Sequence, residues 1–316
     1  MLVYFHIGYP RTGSTFIQQN FFEKHSEIYY LGPKRYNPKL NLFLTDEKMH
    51  FINKLNLDND INLNNSNRIF KNLKLDNKKI NLISSEKFLT FEVNYFNNLL
   101  KIQKLLKLQN DNINFKILFV IRNQFDAIHS YYYHAYNEIY QNFKVKNFKE
   151  LTELSKDDFE NNLQEKKFFQ NYFYDKTFKK KNDYFKKDNI CVLFYETLNK
   201  NKKKFSSELA SFFNLNLFEI ENLLDEEKIN ALKKDKNMVI INNKFFPKLL
   251  YYYEKLNLKK IIPITIKNSL KKLFLKKKEI IEIPEKNKKN VKNYFKKSNY
   301  TFENMTGLKL PEEYFE

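Results

Sequence analysis

Two short stretches of the chain carry residue types that can grip an anion. The first is Gly8-Tyr9-Pro10-Arg11-Thr12-Gly13-Ser14-Thr15. Its two glycines permit a turn that approaches a ligand closely, Ser14 and Thr15 bring hydroxyl donors, and Arg11 brings a fixed cation. Where such a turn opens a helix, backbone N–H groups add partial positive charge. The second stretch runs from Arg122 through Asn123, Gln124 and Asp126 to His129 and Ser130. An arginine leaving a strand and a serine on the following helix can converge on one phosphate, with the forked guanidinium giving charge and direction. Glu86, after Ser84-Ser85, and His6 are groups of the kind that accept a proton from a reacting hydroxyl.

Composition makes these residues stand out. The chain has 316 residues, with 42% hydrophobic and 17% aromatic content, enough for a substantial core. Its formal net charge is +19, and lysine and asparagine are over-used throughout. Only four of the 56 basic residues are arginines, Arg11, Arg35, Arg68 and Arg122, and only four residues are glycine. Where lysine is the default cation, an arginine marks a need for a planar, forked donor. The lysine excess is diffuse, with denser runs at Lys179–Lys181, Lys202–Lys204 and 271–289, and reads as a solvated surface that helps to attract an anionic ligand. One cysteine, Cys191, excludes an internal disulfide and a cysteine-rich metal site. It lies in the apolar run 190–194 and reads as a packed thiol suited to a reducing compartment.

The elements that must position these residues follow from periodicity. Residues 2–7 form an apolar strand, 8–13 a turn, and a helical pattern starts at Ser14. Further strands are expected at 80–85, 115–121 and 189–195, with helices at 95–108, 124–140 and 163–185 and weakly periodic helices over 36–79. After Asn199 the chain reads as mostly helical. Strands alternating with helical crossovers imply an α/β fold, a central parallel sheet in three layers with helices on both faces. A single domain over 1–316 is expected, with a lysine-rich helical portion from about 200. No apolar run is long enough to span a bilayer and no secretory signal is visible, so a cytoplasmic chain is expected.

The loop has the glycine spacing and closing threonine of the nucleotide-triphosphatase pattern G-x-x-x-x-G-K-[ST]. Ser14, however, holds the lysine position, and the cation sits earlier, at Arg11. A triphosphatase would thereby lose its contact to the terminal phosphates.

With His6-Ile7-Gly8 before it, the run from Pro10 to Thr15 resembles the 5′-phosphosulfate loop of sulfotransferases, usually P-[KR]-[ST]-G-[ST]-T after a strand. The stretch 115–131 resembles the same family's 3′-phosphate element, an apolar strand followed by R-[ND]-P-x-D-x-x-x-S-x-[YW]; Gln124 stands where that pattern has proline. Softer similarity to bacterial carbohydrate-type members covers residues 21–32 and 294–299 with 305–308, and 192–198 resembles the family's late strand with its Y-E-D-L-like end. The resemblance implies a P-loop-like fold and the donor 3′-phosphoadenosine 5′-phosphosulfate without a metal. It implies donor binding by Pro10, Arg11, Thr12, Gly13, Ser14, Thr15, Arg122 and Ser130. It also implies transfer to a hydroxyl of a carbohydrate or glycoconjugate, with Arg11 stabilising the leaving phosphate and Glu86 as base, His6 being the second choice. Asp126 reads as a helix-start residue, and His129 and His134 as packing residues. Two other readings stay open: a kinase-like nucleotide-binding enzyme, which lacks its lysine, and a basic nucleic-acid-binding protein, kept by the tyrosines at 131–133 and 251–253.

Overall fold

The computed structural model describes residues 1–32, 36–37, 42–43, 75–84, 95–134, 148–153, 172–182, 187–225 and 283–315. Five parallel strands make the central sheet: β1 (Leu2–Gly8), β2 (Ile28–Leu31), β5 (Ile80–Ser84), β6 (Asn114–Ile121) and β7 (Ile190–Phe194). Their spatial order is β2-β5-β1-β6-β7. A separate antiparallel ladder pairs β3 (Tyr36–Asn37) with β4 (Leu42–Phe43).

Strand β1 sits at the centre because nearly every side chain it carries is buried. Its alternation divides the core. Val3, Phe5 and Ile7 join Ile83, Ile117, Phe119 and Ile121 on one face, while Tyr4 joins Leu82, Leu118, Val120 and Leu193 on the other. Helix α1 (Ser14–Ile17), continued by a π-helical turn at Gln18–Phe22, covers the second face with α7 (Lys202–Phe213) and α8 (Leu217–Leu224). The first face is covered by α2 (Tyr95–Gln109), α3 (Gln124–His134), α4 (Phe148–Glu153), α5 (Tyr174–Asn182) and α9 (Glu285–Thr306). Helix α6 (Tyr195–Lys200) follows β7 directly. The three-layer α/β architecture agrees with the sequence reading. No helix of the described residues is long and apolar enough to cross a membrane.

Three elements depart from the sequence pattern. The strand β2, paired in parallel with β5 from Ile28↔Ile80 to Leu31↔Ile83, is only four residues long, too short to show a period. The ladder pairing 36–37 with 42–43 stands where a helix is expected, since Tyr36, Leu42 and Phe43 suit a strand as well as a helix; the rest of the expected helices up to residue 74 lies outside the described residues. The helix expected to run unbroken over 163–185 begins at Tyr174 in its described part, since Tyr172 and Phe173 lie outside it. There Asp175 occupies the first turn and the buried rings of Tyr172 and Tyr174 hold the chain to the core.

Candidate active site

Strand order places the site. From β1 the chain goes to β2 on one side, while from β6 it goes to β7 on the other. The carboxyl ends of adjacent β1 and β6 therefore flank the switch point where α/β sheets open a crevice. Register carries Gly8 opposite Val120, so the turn after β1 and Arg122 leave the sheet side by side.

The turn is held by its own hydroxyls. The buried Thr12 Oγ1 donates to the Tyr9 carbonyl at 2.8 Å and lies 3.3 Å from Ser14 Oγ. The Thr12 N–H reaches the same carbonyl at 3.3 Å. Gly13 adopts φ 81° and caps α1, where its carbonyl accepts from the Ile17 N–H at 3.1 Å. A Cβ on Gly8 would come within 2.1 Å of Ser14 Oγ, so this glycine is a condition for the serine's position. Arg11 is one of two non-glycine residues with positive φ among the described residues, at 69°. Such a conformation costs about 1–2 kcal/mol and persists only where the surroundings impose it.

The surroundings come from the second stretch. Arg11 Nε donates to Ser130 Oγ at 2.8 Å, and Arg122 Nη1 donates to the Arg11 carbonyl at 3.1 Å. The two arginines and the serine, 119 residues from Arg11, thus form one cluster. The Arg122 guanidinium lies 4.6 Å from the centroid of the Tyr195 ring and 3.8 Å from the Asp126 carboxylate. Its Nε is buried without a protein partner, a donor of the kind an anion satisfies. Pro10 and Thr15 are half-buried at the two ends of the turn, and Ser14 is buried at the helix start.

Of the candidate proton acceptors, Glu86 lies outside the described residues. His6 is wholly buried against the edge of Phe22. Its Nδ1 is 2.8 Å from Ser84 Oγ, which also accepts from Gln18 Nε2 at 2.9 Å. Burial pushes the His6 ring down to about 3, so it is neutral. Asp126 is a helix-start residue as expected: Asn123 caps α3, its Oδ1 accepting from the Asp126 N–H at 2.9 Å and its Nδ2 donating to Asp126 Oδ2 at 2.9 Å. His129 packs between Phe125 and Phe148, 4.6 Å from the latter, and His134's side chain lies outside the described residues. Cys191 is half-buried, and desolvation pushes its thiol up to about 12.

Local sequence patterns pass over the residues that steady Arg122. The Tyr174 hydroxyl donates to the Arg122 carbonyl at 2.5 Å and accepts from its N–H at 3.4 Å. Glu196 Oε1 accepts from the Asn123 N–H at 2.9 Å and from Asn123 Nδ2 at 3.1 Å. Glu196 belongs to the Y-E-D-L-like run, a signal that could have marked it; Tyr174 has no such signal.

One group of metal-ligating types comes together among the described residues, His25, Glu27 and Glu219. The Glu27 N–H donates to His25 Nδ1 at 3.2 Å, so the neutral ring carries its proton on Nε2, toward Glu219 at 3.5 Å. In that arrangement neither nitrogen has a lone pair to offer an ion.

A parallel sheet with a glycine-bounded anion turn and paired arginines at its switch point defines a phosphate-loop type of α/β protein. The model of the sulfotransferase domain matches residues 4–248, and the chain belongs to that family. The crystal structure of a sulfotransferase from Alicyclobacillus acidocaldarius has the same fold. It superposes with a TM-score of 0.50, covering 97% of this chain and 96% of that one at 12% identity. No curated protein matches the sequence.

Proposed function

We propose that this chain transfers a sulfuryl group from 3′-phosphoadenosine 5′-phosphosulfate to a hydroxyl of a carbohydrate or glycoconjugate in the cytoplasm. Sulfuryl transfer is the reaction of its family. The observation that supports the donor assignment is the Arg11–Ser130–Arg122 cluster: it brings the turn after β1 against Arg122 and Ser130, an adjacency that suits a donor with separate 5′ and 3′ groups.

In this reading Arg122 and Ser130 hold the 3′-phosphate. The turn, with Ser14 and Thr15, holds the 5′-phosphosulfate. The acceptor oxygen attacks sulfur as the bond from sulfur to the 5′-phosphate oxygen breaks, and the acceptor proton passes to a base. The products are a sulfate ester and 3′,5′-diphosphoadenosine. Arg11 stabilises the charge that grows on the leaving oxygen; a guanidinium does so by field and hydrogen bonding, since it keeps its protons. Glu86 is the first choice for the base. His6 is the second, and a ring pushed to about 3 is a weak base at neutral pH. The whole chain works as one sulfotransferase domain in this reading.

Calorimetric titration tests the donor. The chain should bind 3′,5′-diphosphoadenosine and show no tight binding of magnesium ATP; the reverse preference would refute the reading. On the acceptor side, Glu86→Gln should lower turnover by about 10²-fold or more with donor affinity intact. Full turnover in that variant would move the base elsewhere.

A further inference from the structure

The three residues that carry the chain out of β6 are each gripped by a different element. Arg122 is held through its backbone by Tyr174 of α5, and Asn123 by Glu196 of α6. Gln124 is held by α9: its Nε2 donates to Asn299 Oδ1 at 2.6 Å, and Asn299 Nδ2 lies 3.3 Å from Gln124 Oε1. This reciprocal amide pair is buried and joins residues 175 apart. Asn299 Nδ2 also donates to the Tyr314 carbonyl at 3.0 Å, and the Tyr314 hydroxyl donates to Glu196 Oε2 at 3.2 Å. A closed circuit results, from Gln124 through Asn299, Tyr314 and Glu196 to Asn123. Every member is largely buried, so each bond stands in a medium where its loss is costly.

Helix α9 and the turn at Glu312–Tyr314 lie beyond residues 4–248, the stretch that defines family membership. The proline usual at position 124 has no side-chain amide and could not enter this circuit. The sequence departure at Gln124 and the helix that answers it therefore form one device.

We propose that α9 and its following turn are a positioning element for the Arg122–Ser130 arm. Asn299 and Tyr314, which lie outside the anion cluster, set the preference for a 3′-phosphorylated donor. Neither is a catalytic residue. They fix Asn123 and Gln124, and so fix where α3 starts, where Ser130 stands, and how Arg122 leaves the sheet. The proposal rests on the donor reading given above.

The test compares two ligands on the full-length chain. Affinities for 3′,5′-diphosphoadenosine and adenosine 5′-phosphate are measured by calorimetry, the weaker by competition, and their ratio is the readout. Two mild variants are used: Tyr314→Phe, which removes one hydroxyl, and Gln124→Pro, which keeps a residue tolerated at the first position of a helix. Tyr314→Phe should lower the ratio by about threefold to tenfold, as losing one buried hydrogen bond implies, and Gln124→Pro, which removes the amide pair with Asn299 and a bond to the Tyr172 carbonyl, by at least as much, with the 5′-phosphate affinity unchanged. Adding Asn299→Ala to Gln124→Pro should lower it further by no more than Tyr314→Phe does alone, because only the Asn299 bond to the Tyr314 carbonyl is then left to lose. If both ligands weaken together, or neither does while the melting temperature alone falls, α9 is a packing element only and the proposal is overturned. If the unsubstituted chain itself shows no preference for the 3′-phosphate, the donor reading fails and this inference with it.

Discussion

His6 shows how far burial can shift a single residue. Its ring sits on the central strand, sealed by Phe22 and bonded to Ser84, and desolvation pushes it to about 3 from an ordinary 6.5. The folded state therefore refuses a proton that the unfolded chain accepts. Stability from this residue is complete above pH 6.5 or so and is lost as pH falls toward 3, with a slope of at most about 1.4 kcal/mol per pH unit. Burial lowers His25 and His129 in the same direction, so the contribution of His6 must be read as a difference. Denaturant midpoints at pH 7 and pH 5 should diverge more for the native chain than for His6→Gln. Parallel profiles would show that the ring is charged or wet.

At the scale of elements, the turn between β1 and α1 has two positive-φ residues, Arg11 and Gly13, and it is the glycine whose Cβ direction is blocked. A Cβ on Gly13 would meet the Tyr195 ring at 3.1 Å and Leu198 at 3.2 Å, in addition to the backbone cost of φ 81°. Gly307 has φ 74° but open space around its Cβ direction, so it supplies an internal control. Gly307→Ala should cost about 1 kcal/mol from the backbone alone. Gly13→Ala should cost at least about 1 kcal/mol more by thermal melting, and should also weaken diphosphoadenosine binding, because the displaced Tyr195 ring is the surface on which Arg122 rests. Equal losses in the two variants would remove Tyr195 from the support of the site.

These same elements divide what sequence reasoning could and could not see. The strand-turn-helix at 2–22 and the strand-arginine-helix at 114–134 were legible because their signals are local: apolar runs, two of the four glycines, and two of the four arginines. The resemblance assigned Arg11 and Ser130 to two elements that bind one donor, but their direct contact was not legible, since no local pattern encodes a contact across 119 residues. The Gln124–Asn299 pair was invisible for the same reason, and Gln124 read only as a departure from a pattern. Strand β2 was missed because it is short and draws its stability from pairing with β5 rather than from propensity.

At the scale of the whole molecule, the chain carries a formal charge of +19, and the site proposed above takes an anion. On that proposal the net positive charge raises the encounter rate with a multiply charged donor, while the Arg11–Ser130–Arg122 cluster sets how long the donor stays. Stopped-flow association of 3′,5′-diphosphoadenosine should slow severalfold between 50 mM and 300 mM salt, as the Debye length shrinks from about 14 Å to about 6 Å, with little change in dissociation. A dissociation rate that carries most of the salt dependence would place the effect in local contacts instead.

The position of β1 has a consequence for how the molecule comes into being. This strand precedes both of its neighbours, yet it lies between β5 at residues 80–84 and β6 at residues 114–121. On the ribosome its apolar side chains and unpaired backbone must wait for about a hundred further residues, roughly 5–20 seconds at ordinary rates of synthesis. The anion turn attached to it waits longer, since α9 and Tyr314 emerge only after the sheet is complete. A newborn chain therefore passes through an interval in which the central strand is unshielded, and on the reading proposed above it completes its donor site only after the sheet has formed.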